Sequence, residues 1–186
     1  MKLTPPTSEE YAPFYDDYIQ RGQATGDVFA ALPKQVEAIY AALGKLTDKQ
    51  ARFKFKPFEA AQDKPAEWSI KEVIGHLNDV ERIFSYRLLR ISRNDKTPLP
   101  GFEQDAYVRE AGFDNFPLNE LLSEFEHLRR ANVLAIKNMT DAAFDHQGTA
   151  SGATISARAL IYMLVGQVDH HMASLHEKYL PAMNAS

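Results

Sequence analysis

Residues 69–92 have the sequence SIKEVIGHLNDVERIFSYRLLRIS, in which apolar side chains recur near every third and fourth position. This spacing is typical of an amphipathic α-helix that buries one face. Ser69 and Glu72 are spaced as in a capping box, which predicts that the helix begins at Ser69. The predicted buried face consists of Ile70, Val73, Ile74, Leu77, Phe84, Leu88 and Ile91.

Three further segments have the same helical spacing. They run from about Asp27 to Gly44, from just after Pro117 to about Met139, and from about Ser156 to Tyr179, where Pro181 is expected to end the last helix. No segment has the clear alternation of a sheet, although residues 52–58 alternate Phe with Lys and are predicted to form a short extended edge. The pattern predicts an all-α fold, a four-helix bundle with long crossover loops.

The chain of 186 residues has the length of one domain, and we expect a single helical-bundle domain over residues 1–186. Residues 1 to about 24 are predicted to form an N-terminal arm that packs on the bundle, since Pro13 interrupts their helical pattern. The arm and the first helix are rich in aromatic side chains, which are predicted to cover the bundle or to contribute to a symmetric dimer. They are Tyr11, Phe14, Tyr15, Tyr18 and Phe29.

The composition excludes several classes of function. The net charge of −4 argues against nucleic acid as a partner, because phosphate-binding surfaces need clustered Lys and Arg. The chain has no Cys, which excludes disulfides, zinc bound by thiolates and a cysteine nucleophile. No segment approaches the roughly 20 apolar residues of a membrane span, and the first residues lack the apolar core of a signal peptide. We therefore expect a cytoplasmic protein that does not bind membranes.

Two histidines and a glutamine are the candidate metal ligands. On a helical wheel of the last helix, His171 lies within about 50° of the apolar centre, whereas His170 points nearly opposite. Gln167, one turn earlier, shares the inward flank with His171. His76 lies about 90° from the apolar centre of its own helix, where a side chain can face a cavity between helices. If these helices are neighbours, His76, Gln167 and His171 would form an N/O site suited to Zn²⁺ or Ni²⁺.

The same residues have a second interpretation, because a histidine on an apolar face is usually a hydrogen-bonded core residue. Asp79 closely follows His76 and is a candidate acceptor for a proton of its ring. Arg87, Arg90 and Arg93 form a basic stripe, which we interpret as a solvated or interhelical face. The chain contains no nucleophile elbow, phosphate loop or dinucleotide fingerprint.

Four segments resemble the DinB/YfiT-like superfamily in their order and spacing. They are Trp68–Leu77, Asp79–Phe84, Pro98–Phe102 and Gly166–Leu180. The resemblance extends over most of the chain, from about Tyr11 to Leu180. It implies a four-helix bundle with a long crossover and, since members of the superfamily are often dimeric, a homodimer.

The resemblance also implies a divalent metal, commonly nickel or zinc, held by three histidines. One of them matches His76, and the other two belong to a Gly-His-Glu-x-His-His pattern on the last helix. Here the pattern is Gly166-Gln167-Val168-Asp169-His170-His171, so His171 is retained and Gln167 stands at the first ligand position. Because a neutral amide is a weaker donor than imidazole, we expect the metal to be bound weakly or to be absent.

The function implied by the resemblance is that of a divalent-metal-dependent enzyme. It would activate a low-molecular-weight thiol or water against a small electrophilic substrate, as in S-transferases, thiol-dependent isomerases or hydrolases. The absence of Cys suits a thiol that is supplied by a cosubstrate. The alternative is a non-catalytic, dimeric bundle that binds a small ligand or acts in a stress response, with Gln167 as the sign of a degenerate metal site.

Overall fold

The structure, a computed structural model, describes residues 2–55 and 68–185. No helix of this described part is long and apolar enough to cross a membrane. Short 3₁₀ helices span Ser8–Glu10, Pro13–Tyr15, Phe113–Asn115 and Asp141–Asp145, and a π-helical turn spans Leu175–Tyr179. The α-helices are α1 (Asp16–Ala24), α2 (Val28–Leu43), α3 (Asp48–Ala51), α4 (Ile70–Ser92), α5 (Gln104–Ala111), α6 (Leu118–Lys137), α7 (Ala157–Ser174) and α8 (Leu180–Ala185).

Four long helices pack around one another as a bundle. Helix α2 contacts α6 and α7, and α4 contacts the same two helices, so that α4 and α7 lie side by side. This arrangement confirms the predicted all-α four-helix bundle. Helix α1 lies along α7 so closely that a Cβ atom on Gly166 would come within 1.7 Å of the carbonyl oxygen of Tyr18. Only glycine permits this approach of the arm to the bundle.

Helix α4 begins at the capping box that the sequence predicts. The backbone N–H of Glu72 donates to Oγ of Ser69 at 3.0 Å, and the backbone N–H of Ser69 donates to the carboxylate of Glu72 at 2.7 Å. Two of the free backbone donors of the first turn are thereby satisfied. The capping box fixes the start of α4 next to Trp68 and about two turns before His76, and it thereby positions both rings.

Several features differ from the sequence prediction. Helix α5 lies in the second predicted crossover loop. Strands β1 (Gln147–Ala150) and β2 (Ala153–Ser156) form an antiparallel hairpin in a segment predicted to be a loop. Its turn residues Ser151 and Gly152 have φ of 53° and 79°, the positive values that a two-residue hairpin turn requires. Pro181 does not end the last helix, because α8 continues through it after the π-helical turn. The π-helical turn directly before Pro181 has a wider hydrogen-bond spacing than an α-helix, which accommodates the missing backbone N–H of the proline.

The extended edge predicted for residues 52–58 is described only in its first part. Lys54 forms an isolated antiparallel bridge with Ser69, directly before α4. Residues 56–58 lie outside the described residues.

A buried ion pair connects the four long helices. Glu81 on α4 pairs with Arg129 on α6, and their side chains are only 2% and 1% exposed. Arg129 also donates to Oε1 of Gln35 on α2 and to the carbonyl oxygen of Leu164 on α7, each at 2.9 Å. The side-chain amide of Asn132 donates to the Glu81 carboxylate at 3.2 Å. One guanidinium group therefore holds a contact with each of the other three helices.

Replacing Arg129→Met should destabilise the protein by about 3–5 kcal/mol, because the Glu81 carboxylate would stay buried without its cation. The control is Arg130→Met, which removes an ion pair with Glu126 whose arginine side chain is 67% exposed. Exposed pairs contribute only about 0–1 kcal/mol. Urea unfolding measures both free energies, and equal losses in the two variants would show that the buried pair does not hold the bundle.

Candidate metal centre

His76, Gln167 and His171 lie together between α4 and α7. The ring centroids of His76 and His171 are 5.0 Å apart. The amide Nε2 of Gln167 is 3.1 Å from Nε2 of His76 and donates to it when the ring carries its proton on Nδ1. The structure thus brings together the three side chains that the sequence marks as candidate ligands.

Both imidazole rings are held in the neutral form. Burial lowers the pKa of His76 to about 4. Burial, helped by the neighbouring His76 and His170, lowers the pKa of His171 to about 3. Neutral imidazole is the form that binds metal ions, and Nε2 of His171 is buried without a hydrogen-bond partner among the described residues.

His170 contacts the N-terminal arm, although its ring centroid lies 5.1 Å from that of His171. Its side chain is 42% exposed, and its Nδ1 lies 2.7 Å from a carboxylate oxygen of Asp17. Its ring packs edge-on against Tyr18 with a centroid separation of 5.4 Å. His170 therefore binds the N-terminal arm, and the helical wheel separates it from His171 as the structure does.

The indole ring of Trp68 covers both candidate ligands. Its centroid lies 4.7 Å from that of His76 and 6.3 Å from that of His171, and it is nearly parallel to the second ring, at 21°. Trp68 begins a segment that resembles the superfamily, but its place over the two rings was not predicted, because it depends on how the chain enters α4. Asp79, the acceptor predicted for His76, makes no hydrogen bond to it among the described residues; burial raises the pKa of Asp79.

Two cavities give small molecules access to these side chains. The first, which we call the aromatic cavity, has a volume of about 260 Å³, and His76 and Gln167 are among the residues that line it. The second has a volume of about 770 Å³ and is lined by Trp68, His171 and charged residues of both signs. The arm supplies part of the first cavity, which the sequence did not predict. The aromatic cavity takes its name from Phe14, Tyr15, Tyr18, Phe84 and Phe102.

The donor set fits a divalent transition metal in part. Two neutral imidazoles are good donors to Zn²⁺ and Ni²⁺, and a buried ring nitrogen without a partner, as in His171, is unfavourable until a ligand satisfies it. Gln167 fits less well, since its NH₂ group faces His76 and a metal would need its Oε1 instead. Within residues 2–55 and 68–185 no three His, Cys, Asp or Glu side chains come together as a metal cluster. The site offers two histidines and an amide.

Comparison with known proteins places the chain in a family. A sequence model described as the DinB superfamily matches residues 31–175. The solved structure of YfiT from Bacillus subtilis, described as a probable metal-dependent hydrolase with an unusual four-helix bundle topology, is similar with a TM-score of 0.68 and 16% identity. The similarity covers 97% of this chain and 94% of that chain.

A second solved structure is similar over a smaller region. The mycothiol-dependent maleylpyruvate isomerase has a TM-score of 0.52 and 16% identity, over 83% of this chain and 59% of that chain. This chain therefore spans less than two thirds of the isomerase. At such identities the likeness shows a shared fold. A comparison with curated protein sequences finds no match.

Lowering the pH from 7 to 5 should destabilise the metal-free protein. The pKa of an unfolded histidine is about 6.5, whereas the folded-state values of His76 and His171 are about 4 and about 3. Below pH 6.5 the unfolded chain therefore binds more protons, and the stability present above this pH is lost as the pH falls toward the folded-state values. Each ring should account for about 1–2 kcal/mol of the loss down to pH 5.

Urea unfolding of chelator-treated protein over this pH range measures the effect. His171→Gln should reduce the dependence of the unfolding free energy on pH. His127→Gln, which changes an exposed histidine of α6, serves as the control and should leave it unaltered. Identical pH dependence in the wild type and in His171→Gln would contradict a neutral ring with a buried Nε2 at position 171.

Proposed function

The chain belongs to the DinB superfamily, and from this premise we propose that it is a divalent-metal-dependent enzyme. It activates a low-molecular-weight thiol or a water molecule against a small electrophilic substrate. His76 and His171 are the proposed ligands of a zinc or nickel ion, and the side-chain oxygen of Gln167 is a weak third. The observation that carries the proposal is the buried Nε2 of His171, which has no partner among the described residues.

Geometry and relatives both support this proposal. A centroid separation of 5.0 Å between the rings of His76 and His171 allows a single ion to contact both. Neutral rings need not lose a proton before they bind it. One structural relative is described as a probable metal-dependent hydrolase and another as a mycothiol-dependent isomerase.

When bound there, the ion would supply Lewis-acid chemistry and lower the pKa of a thiol or water molecule that contacts it. The chain's own residues would perform the other tasks. The imidazoles of His76 and His171 donate lone pairs, Trp68 excludes water from their rings, and the aromatic cavity holds the apolar part of a substrate. Because the chain has no Cys, a thiol would have to enter as a cosubstrate.

One observation favours a second candidate function. The amide of Gln167 already hydrogen-bonds Nε2 of His76, an atom that could ligate a metal. If this bond persists in the presence of metal, the chain is a non-catalytic bundle that binds a small ligand in the same cavities or acts in a stress response. Metal titration separates the two functions.

Gln167→His should raise the affinity for Zn²⁺ or Ni²⁺ by about tenfold or more, because imidazole outcompetes a neutral amide at these ions. Position 167 lies one turn before His171 on the same face of α7, so no change of the backbone is needed. Calorimetric titration of metal-stripped wild type and variant measures the gain.

The control experiment adds His171→Ala or His170→Ala to the Gln167→His background. The first should abolish the gain in affinity, and the second should leave it intact, since His170 points to the arm. Should Gln167→His bind metal no better than the wild type, the proposal of a surviving metal site fails and the binding-module function stands.

We also propose that the protein is cytoplasmic and forms a homodimer. Most aromatic side chains of the arm and of the start of α2 pack on the buried core: Tyr11, Tyr15, Tyr18 and Phe29. Phe14 differs, since it is 79% exposed and is therefore available to a second copy of the chain.

Light scattering at micromolar concentration should give twice the chain mass of 21.0 kDa. Phe14→Ser should shift the equilibrium toward the single chain, because it removes exposed apolar area from the proposed interface. Leu134→Ser, at a 61% exposed position on α6, is the control and should have no effect. A wild-type mass of one chain would refute the dimer.

A further inference from the structure

Arg87 is a buried cation that no carboxylate of the described residues neutralises. It belongs to the basic stripe of α4 with Arg90 and Arg93, yet only 2% of it is exposed, so it is not part of a solvated face. Its Nη2 donates to the carbonyl oxygen of Pro100 at 2.8 Å and to Oγ of Ser151 at 3.0 Å. Its Nη1 is buried and has no hydrogen-bond partner among the described residues.

A positive charge in this environment needs a partner. The rings of Phe84 and Phe102 lie 5.8 and 5.9 Å from the guanidinium carbon, which provides cation–π attraction without neutralising the charge. Arg129, which is also fully buried, shows the usual solution, an ion pair with Glu81. Arg87 lacks this solution within the described part of the chain, where its charge is open to an anionic ligand.

The guanidinium lies close to the aromatic cavity. Arg87 and His76 are eleven positions apart on α4, so their directions differ by only about 20° while they lie about 16 Å apart along the helix axis. Val80 lies between them on the same face and lines the aromatic cavity together with His76. Ser151 and Phe102, which both contact Arg87, line the same cavity.

Arg87 itself lines an adjoining cavity of about 240 Å³, which shares Phe102 with the aromatic cavity. The guanidinium therefore stands beside space for a small ligand group in the 240 Å³ cavity, and Phe102 is the residue that this cavity shares with the aromatic cavity. The hydrogen bonds to Pro100 and Ser151 are made by Nη2, whereas the buried Nη1 still has an N–H group to donate.

We propose that Arg87 binds the carboxylate of a small molecule in the 240 Å³ cavity, and that the apolar body of this molecule extends past Phe102 into the aromatic cavity. The carboxylate supplies both the negative charge and the acceptor that Nη1 lacks. A monocarboxylate suits the site better than a dianion such as phosphate, because one guanidinium neutralises one charge and Glu103 also lines the cavity. The aromatic cavity is also lined by His76 and Gln167. The further statement that the substrate of the enzyme is an apolar monocarboxylate therefore rests on the proposed function.

Calorimetric titration of the chelator-treated full chain with phenylacetate and with phenylacetamide tests this inference. The two ligands have nearly the same size and differ in charge. Phenylacetate should bind roughly tenfold or more tightly than the amide, because a bond between Arg and a carboxylate is charge-assisted. Equal affinities, or no binding of either ligand, would overturn the proposal.

Variants test whether Arg87 is the residue that causes the preference for the carboxylate. Arg87→Met should abolish the preference for the carboxylate, and Arg87→Lys, which keeps the charge but not the planar fork, should retain part of it. Arg90→Met is the matched control, since Arg90 lies on the same helix but pairs with Asp95, and it should keep the preference. A preference that survives in Arg87→Met would overturn the proposal. If that variant does not fold, the wild-type comparison of the two ligands and Arg87→Lys decide.

The outcome is separable from that of the metal proposal. Carboxylate binding is measured without metal, and metal binding is measured without carboxylate. A chain that prefers phenylacetate but binds no zinc keeps the Arg87 site and loses the proposed metal chemistry. A chain that binds zinc but treats both ligands alike keeps the metal site and loses the carboxylate site.

Discussion

The bundle depends on one buried guanidinium group, that of Arg129. From α6 it contacts Glu81 on α4, and it donates at 2.9 Å both to Gln35 on α2 and to the carbonyl oxygen of Leu164 on α7. Gln35 extends this network by donating to the carbonyl oxygen of Val165 at 2.8 Å. A buried charge is tolerated only while its partners keep their geometry, so this network favours one register of the four helices over others.

That register brings the candidate ligands together. His76 and Gln167 each lie within about two helical turns of the network, on α4 and α7 respectively. The dry interior that strengthens the ion pair also keeps the imidazoles neutral. Nε2 of His171 and Nη1 of Arg87 are among the buried polar atoms that have no hydrogen-bond partner within the described residues. Both residues line cavities, and a ligand that satisfies either atom would also stabilise the fold.

Local patterns were sufficient to predict the four long helices and the helix faces that carry the candidate ligands. Ser69 caps α4 as its spacing with Glu72 indicates, and the helical period separates His171 from the residue before it. Tertiary placement could not be predicted in this way. Trp68 covers the imidazoles because of the path of the chain before α4, and Arg87 is buried because residues 100 and 151 cover it. The spacing of arginines in a basic stripe is the same whether they face water or another segment of the chain, so the sequence alone could not predict that Arg87 is buried.

The central claim is that His76 and His171 hold one metal ion between α4 and α7. Anomalous diffraction at the zinc absorption edge, from crystals grown with Zn²⁺, tests it most directly. The predicted result is a peak about 2.0–2.1 Å from a ring nitrogen of each histidine, with the amide of Gln167 turned away from Nε2 of His76. A map without this peak, in which Gln167 still hydrogen-bonds His76, would contradict the claim.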